Sequence, residues 1–380
     1  MYLDAAKGRR RVARNFICHR GIRLRTVQVA GAMMATVASV ASHADGLTIS
    51  GLVGAGPTYT SNASGAARYS LDAAPNRPNY LAFNGSESLG DGTSAYFRLS
   101  GRFLSDTGQL IGQLFNANSI IGLRGQFGDL SLGLMRDFMF DYFTAGGFSG
   151  AWHGGIWGAS QGPFTNFGGV NGPFPGGSFD YDRSNGELVA NGAKYTNQFG
   201  PLKVGAMYAF GERPGSVNSG SSYSLGGLYQ SGKLSATVAY IDFRDGTTTT
   251  STAHIRTLGV GSKWTADDWT LAGTYSRTEN ANTGGVINNF GIGATRSFGE
   301  RYGLTVHYQY MKGNAVLLDR YAHQLLMVAE TSLSKRSRVY LQAVYQWAGG
   351  QDARAWINGA SAPSGSSRQM LAGVFVEHLF

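Results

Sequence analysis

The charged residues able to act together fall into two sets. Between Arg136 and Arg183 the chain holds Asp137, Asp141, Asp180 and Asp182 but no lysine or arginine, so this long segment carries a net charge of −4. Upstream, Arg98 and Arg102 share the parity of Ser100, while Ala95, Phe97, Leu99 and Phe103 take the other. On an extended strand that alternation puts both arginines on one face and the apolar residues on the opposite one. Arg124 and Lys194 are further cations of this kind, and Arg136 stands at the end of an alternating run, where parity is a poor guide. Acidic and basic sets opposed across a narrow, low-dielectric passage would make a transverse field that orients dipolar molecules. Such chemistry is electrostatic, with no bond made or broken.

Bond-making motifs are poorly supported by comparison. Gly158-Ala159-Ser160-Gln161-Gly162 matches the pattern of a hydrolase nucleophile elbow, which needs a strand before it and a helix after it. Here glycine and proline flank it on both sides, in a chain with 56 glycines where chance matches are common. Asp180-Tyr181-Asp182-Arg183-Ser184-Asn185-Gly186-Glu187 resembles the start of a calcium loop, but its glycine falls one place late. The histidines are scattered, with no pair four residues apart and no cysteine to complete a zinc site. The reading is therefore no catalytic residue, no cofactor and no metal.

Placing the arginines on one face requires strands, and period-two alternation recurs over most of the chain. Leu202, Val204, Ala206, Tyr208 and Phe210 alternate with Lys203, Gly205, Met207 and Ala209; Leu304, Val306, Tyr308 and Tyr310 alternate with Thr305, His307 and Gln309. Sixteen such runs begin near Leu47, Tyr80, Ser94, Asn118, Asp129, Glu187, Leu202, Ser221, Leu234, His254, Asp268, Asn288, Tyr302, Tyr321, Arg338 and Arg368. Each approaches the roughly 9–11 residues that a tilted strand needs to cross a bilayer. Gly200-Pro201 and Gly299-Glu300-Arg301 are tight connections, whereas Gly211–Gly220 and Ala348–Ser367 are long. Residues 137–186 form the longest connection of all, and a loop of that size inside a compact domain points to a functional element. Tyr59, Tyr80, Tyr240, Trp264, Trp269 and Trp347 fall near run ends, as an interfacial girdle requires. The expected fold is an all-β, sixteen-stranded antiparallel transmembrane barrel, residues 45–380, with 137–186 folded inward. A soluble sandwich or propeller would need a blade-length repeat or closer strand spacing, and neither is present.

The N-terminus reads differently. Met1–Thr26 holds eight of the 32 Lys/Arg residues and one acid, and the uncharged stretch Val27–Ser42 and small residues at Ser42 and Ala44 follow it. That order is a secretory signal, residues 1–44, cleaved after Ala44. Its removal leaves 24 basic and 22 acidic residues. A chain so nearly neutral has no basic stripe for nucleic acid. Cys18 leaves with the signal, so the remaining chain has no thiol chemistry. Mean hydropathy of −0.15 and the absence of long apolar runs after the signal exclude a helical membrane protein, a test that barrels escape.

Several blocks resemble the Gram-negative porin family typical of β-proteobacteria. They are Gly85-Ser86-Glu87-Ser88-Leu89-Gly90-Asp91-Gly92 with Ala95-Tyr96-Phe97-Arg98-Leu99, Phe127-Gly128-Asp129-Leu130-Ser131-Leu132-Gly133, Asn191-Gly192-Ala193-Lys194-Tyr195-Thr196, and Leu333-Ser334-Lys335-Arg336-Ser337. The resemblance implies a homotrimeric general-diffusion channel in the outer membrane, passive toward small hydrophilic solutes and ions and surrounded by outer-membrane lipid. It also implies that the barrel-insertion machinery recognises the terminal aromatic, Phe380. Leu134, Leu188 and Ala117 stand where the family carries basic residues, so weak anion preference at most is expected. Twelve aromatics between Asp137 and Asp182 motivate an alternative, a substrate-selective channel with an aromatic-rich constriction. Loop packing explains them more simply.

Overall fold

The computed structural model describes residues 46–164, 167, 186, 188–244 and 254–380. The expected signal segment, residues 1–44, lies outside the described residues, as do Asp180 and Asp182.

Alternation produces strands along the whole described chain. They are β1 (Thr48–Ala63), β2 (Ala66–Ala73), β3 (Tyr80–Gly90), β4 (Thr93–Arg102), β5 (Asn118–Gly125), β6 (Gly128–Arg136), β7 (Leu188–Phe199), β8 (Leu202–Ala209) and β9 (Ser222–Ser231). The second half contains β10 (Leu234–Arg244), β11 (His254–Ala266), β12 (Trp269–Asn280), β13 (Gly285–Phe298), β14 (Tyr302–Gly313), β15 (Tyr321–Ser332), β16 (Ser337–Gly349) and β17 (Arg368–Leu379). All belong to one antiparallel sheet, and β17 pairs back onto β1 from Leu52↔Leu379 to Thr60↔Leu371. Closure joins the last strand to the first, as a bilayer demands of β structure.

Seventeen strands make sixteen staves, because β2 and β3 share one edge of β1. Ala55–Ala63 pairs with Ala66–Ala73, and Thr48–Leu52 pairs with Tyr80–Asn84. Between them residues 74–79 leave the sheet. Pro75 and Pro78 cannot donate to a ladder, which accounts for the break. Asn79 fills part of the gap: its Oδ1 accepts from Gly54 N at 2.7 Å and its Nδ2 donates to Gly54 O at 3.2 Å. The expected sixteen runs thus match the staves, with β2 an additional upper half of the second.

Parity divides the wall into two solvents. Leu271, Ile292, Val306 and Val376 are 45, 65, 40 and 53% exposed on the outer face, where lipid supplies their contacts. Inward residues are polar or small, except where the long connection packs on them.

That connection folds inward as a π-helical turn (Met139–Thr144) and a helix, α1 (Gly150–Gly158). Phe138, Met139, Tyr142, Phe143 and Phe148 form one cluster with Met207, Leu228, Ala239 and Ile241 of the wall. Trp157 packs with Leu326, Tyr340, Val344, Leu371 and Phe375, and Phe164 and Phe167 with Ile255, Ile287 and Met311. Inward glycines make room for it. A Cβ on Gly205 would lie 2.2 Å from the Phe138 ring. Seven of the loop's twelve aromatics are thus packed against the wall, whereas Trp152 is 52% exposed, Phe140 lines open space, and Phe174, Phe179 and Tyr181 lie outside the described residues.

Polar wall residues fix α1 in place. Gln342 Nε2 donates to Gly154 O at 2.8 Å, Gln324 Nε2 to Trp157 O at 3.2 Å, and Gln309 to Gly158 O. The excursion of the second stave meets α1 from the other side, with Ile156 N donating to Pro75 O at 2.9 Å and Asn76 Nδ2 to His153 O at 2.6 Å. These bonds satisfy backbone groups at the C-terminal end of α1 and around its break at Gly155 that would otherwise be buried without partners.

Candidate functional site

With the loop docked on the β9–β17 side, open space remains against the β3–β8 wall. A cavity of about 890 Å³ lies there, between that wall and Phe140, Asp141 and Tyr142 of the loop. Among the described residues its lining carries seven cations, Arg77, Arg98, Arg102, Arg124, Arg136, Lys194 and Lys203, against two carboxylates, Asp129 and Asp141.

Arg98 and Arg102 stand opposite Asn84 and Tyr80 of β3, and all four line the cavity. Asn116 Oδ1 accepts from the Arg102 backbone N–H at 2.9 Å, fixing the strand end that carries it. Arg124 also faces inward, but its Nε lies 2.7 Å from Asp129 Oδ2 and its guanidinium 4.8 Å over the Tyr96 ring. Its charge is thus largely compensated within the wall. Arg136 lies 4.7 Å over the Phe140 ring and has no carboxylate partner among the described residues.

Of the four expected acids, Asp137 and Asp141 are among the described residues. Asp137 is fully buried at the loop root, where its Oδ1 accepts from Phe140 N at 2.9 Å and caps the first turn. It faces the loop rather than the lumen, because the chain has left the strand and parity no longer governs it. Asp141 does meet the wall, but as a contact rather than across a gap: its Oδ2 lies 2.6 Å from Lys194 Nζ, which also donates to Arg136 O at 2.8 Å. Within the described residues the cavity is therefore lined by excess positive charge rather than by two balanced, opposed sets.

Two cations were missed. Lys203 alternates with Leu202 and Val204, so its inward parity was available. Arg77 sits in the excursion, where no periodicity places it. Its guanidinium holds Glu377 of β17 at 2.8 Å, and Arg338 and the Tyr340 hydroxyl take the same carboxylate at 2.8 and 3.0 Å.

Ser160 of the G-x-S-x-G match follows α1 rather than a strand and is buried, so it does not form a nucleophile elbow. Among the described residues no group of three or more metal-ligating side chains occurs. Phe380 exchanges both backbone hydrogen bonds with Gly51 at 3.1 Å, and a Cβ at Gly51 would strike its ring. The last residue therefore closes the seam between β17 and β1.

A family described as Gram-negative porin matches residues 30–351. Outer membrane porin protein 32 of Delftia acidovorans is 28% identical over 311 residues, covering 77% of this chain and 82% of that protein. Among solved structures, an anion-selective porin from Comamonas acidovorans superposes with a TM-score of 0.73 at 21% identity, covering 88% of this chain and 99% of that one. OmpF of Salmonella typhi gives 0.62 at 15% identity, covering 88% and 97%. In vitro-folded OmpT of Vibrio cholerae, in its trimer form, gives 0.61 at 16%, covering 88% and 99%.

Proposed function

The chain belongs to the Gram-negative porin family, and on that premise we propose that it forms a water-filled channel for passive diffusion of small hydrophilic solutes and ions. Nothing in the lumen binds a cofactor or energises transport in this reading. Solutes pass between the docked loop and the β3–β8 wall, with Arg98, Arg102, Arg136, Lys194, Asp141 and the missed Arg77 and Lys203 setting the local field. Residues 1–44 act as the export signal, and the Phe380 strand serves barrel insertion.

One observation carries the selectivity. Among the described residues seven cations line the cavity against two carboxylates; Arg124 and Lys194 pair with those two, and Arg77 with Glu377. A low-dielectric passage focuses that surplus. We therefore read the pore as anion-preferring, more strongly so than the residues at Leu134, Leu188 and Ala117 led us to expect. Planar-bilayer recording of the purified protein in a salt gradient tests this. The reversal potential should have the anion sign and move toward cation preference in the Arg98→Gln, Arg102→Gln double variant. An unchanged potential would remove both arginines from the constriction.

We read the assembly as a homotrimer. β4 stops at Arg102 in register with Tyr80, so no strand continues beside Ala66–Ala73, and Tyr69 and Leu71 are 81 and 61% exposed there. Backbone groups on such an edge do not tolerate lipid, and another copy would cover them. Unheated protein should migrate on a gel as an oligomer and boiled protein near the monomer mass.

A further inference from the structure

Strand parity also sends charges outward. On β10 and β11 the exposed residues Val238, Leu258 and Val260 belong to the lipid-facing band. On the same faces, beyond that band and toward the long connections, stand Asp242 and Arg244 of β10 and His254 and Arg256 of β11. Asp242 is in register with Arg256, and Arg244 with His254.

The Asp242 carboxylate organises this group. Its Oδ1 lies 3.0 Å from both Arg244 Nε and His254 Nε2, and its Oδ2 3.2 Å from Arg256 Nε; its side chain is 1% exposed, against 33 and 43% for the two arginines. Tyr223 OH completes the set at 3.4 Å. Both guanidiniums thus grip Asp242 through the inner Nε. Among the described residues the terminal nitrogens of Arg256 have no hydrogen-bond partner, and those of Arg244 reach only Asn218 O, at 3.5 Å.

Two guanidiniums held beside one carboxylate keep a net positive charge and present their forks together. That fork matches the oxygens of a phosphate. Height settles where the phosphate comes from. A charge on the outer face of a barrel costs far more at the bilayer midplane than near the interface, so this cluster belongs at headgroup level. Directly along the wall lies the apolar band of Val238, Leu258 and Val260, which acyl chains would cover and a free anion would not.

We propose that Arg244 and Arg256, paired by Asp242, form a site for the phosphate-bearing headgroup of an outer-leaflet glycolipid. The proposal rests on the outer-membrane reading but not on the pore's selectivity. Arg277 and Glu279 of β12, facing the same surface and 3.5 Å apart, form a mutually compensated pair at its flank.

Native mass spectrometry of the assembled, detergent-solubilised protein tests it, with a bis-phosphorylated acylated glucosamine disaccharide, its dephosphorylated form, and inorganic phosphate as probes. The wild type should bind the phosphorylated lipid at least about tenfold more tightly than the dephosphorylated one. The Asp242→Asn, Arg244→Gln, Arg256→Gln triple variant removes the carboxylate with its partners, leaving no unpaired buried charge. It should lose that discrimination while keeping the wild-type reversal potential, which shows that the barrel and pore are intact. Equal affinity of the wild type for both lipids would overturn the proposal without any variant. So would retained discrimination in the triple variant, or displacement of the lipid by equimolar inorganic phosphate, which would mark a free-anion site.

Discussion

Lys194 Nζ lies 2.6 Å from Asp141 Oδ2, joining the first turn of the inward loop to strand β7. The pair sits at the edge of the cavity and is partly exposed, so it contributes no more than about 1 kcal/mol to stability. Its larger effect is on the field. Asp141→Asn would release a full positive charge beside Arg136 and should move the reversal potential further toward anions. Lys194→Met should move it the other way. Shifts of the same sign in both variants would show that the pair lies outside the permeation path.

Gly155 lies where α1 meets the excursion of the second stave and leaves no room for a side chain. Its φ of +53° is one that other residues rarely adopt, and a Cβ there would lie 1.9 Å from Pro75 O. Gly155→Ala should therefore undock α1 from Pro75 and Asn76 while leaving the strands paired. The expected readout is increased open-channel current noise at normal barrel yield. Quiet traces identical to the wild type would show that this contact does not hold the loop.

Acid should loosen the same helix. Burial, and then the nearby Lys263 cation, push the His153 imidazole down from its ordinary 6.5 to about 4. The His307 ring lies 6.3 Å away, and Thr295 Oγ1 is 3.5 Å from His153 Nδ1. The docked state then binds fewer protons than the undocked one. Docking is fully favourable above pH 6.5, weakens as pH falls toward 4, and loses no more below that. Hydrogen exchange of Gly150–Gly158 should accelerate across this window, and His153→Gln should flatten the dependence. Exchange that stays constant from pH 7 to 4 would remove His153 from docking.

Legibility in the sequence followed the reach of periodicity. Arg98, Arg102, Arg124 and Lys194 lie on regular strands, so alternation alone placed them inside. Lys203 obeyed the same rule. Asp137 misled because it begins the loop: its neighbours Phe138 and Met139 pull the chain into an apolar cluster, and the carboxylate turns to cap Phe140. Arg77 gave no signal, since two prolines interrupt the alternation on either side of it and its place depends on Glu377, 300 positions away. The β2 run Ala66–Ala73 alternates, but the break after it hid the fact that it and β3 are one stave. A cap, a proline break and one long-range ion pair decide these positions, and periodicity carries no information about them.

Glu377 offers the sharpest test of that long-range control. It is 1% exposed, and its carboxylate holds Arg77, Arg338 and the Tyr340 hydroxyl together, while Tyr340 also receives Asn76 N at 3.3 Å. Removing one member of a buried ionic network leaves its partners uncompensated and costs about 3–5 kcal/mol. Glu377→Gln should therefore lower the denaturation midpoint of the refolded protein and, by freeing Arg77 at the cavity wall, shift the reversal potential toward anions. Tyr340→Phe removes two hydrogen bonds, to Glu377 and from Asn76 N, but no charge, so it should cost about 1–3 kcal/mol and leave selectivity unchanged. The two readouts separate the roles. If Glu377→Gln lowers stability but leaves the potential at its wild-type value, Arg77 does not act on permeating ions, and its place in the lining is structural.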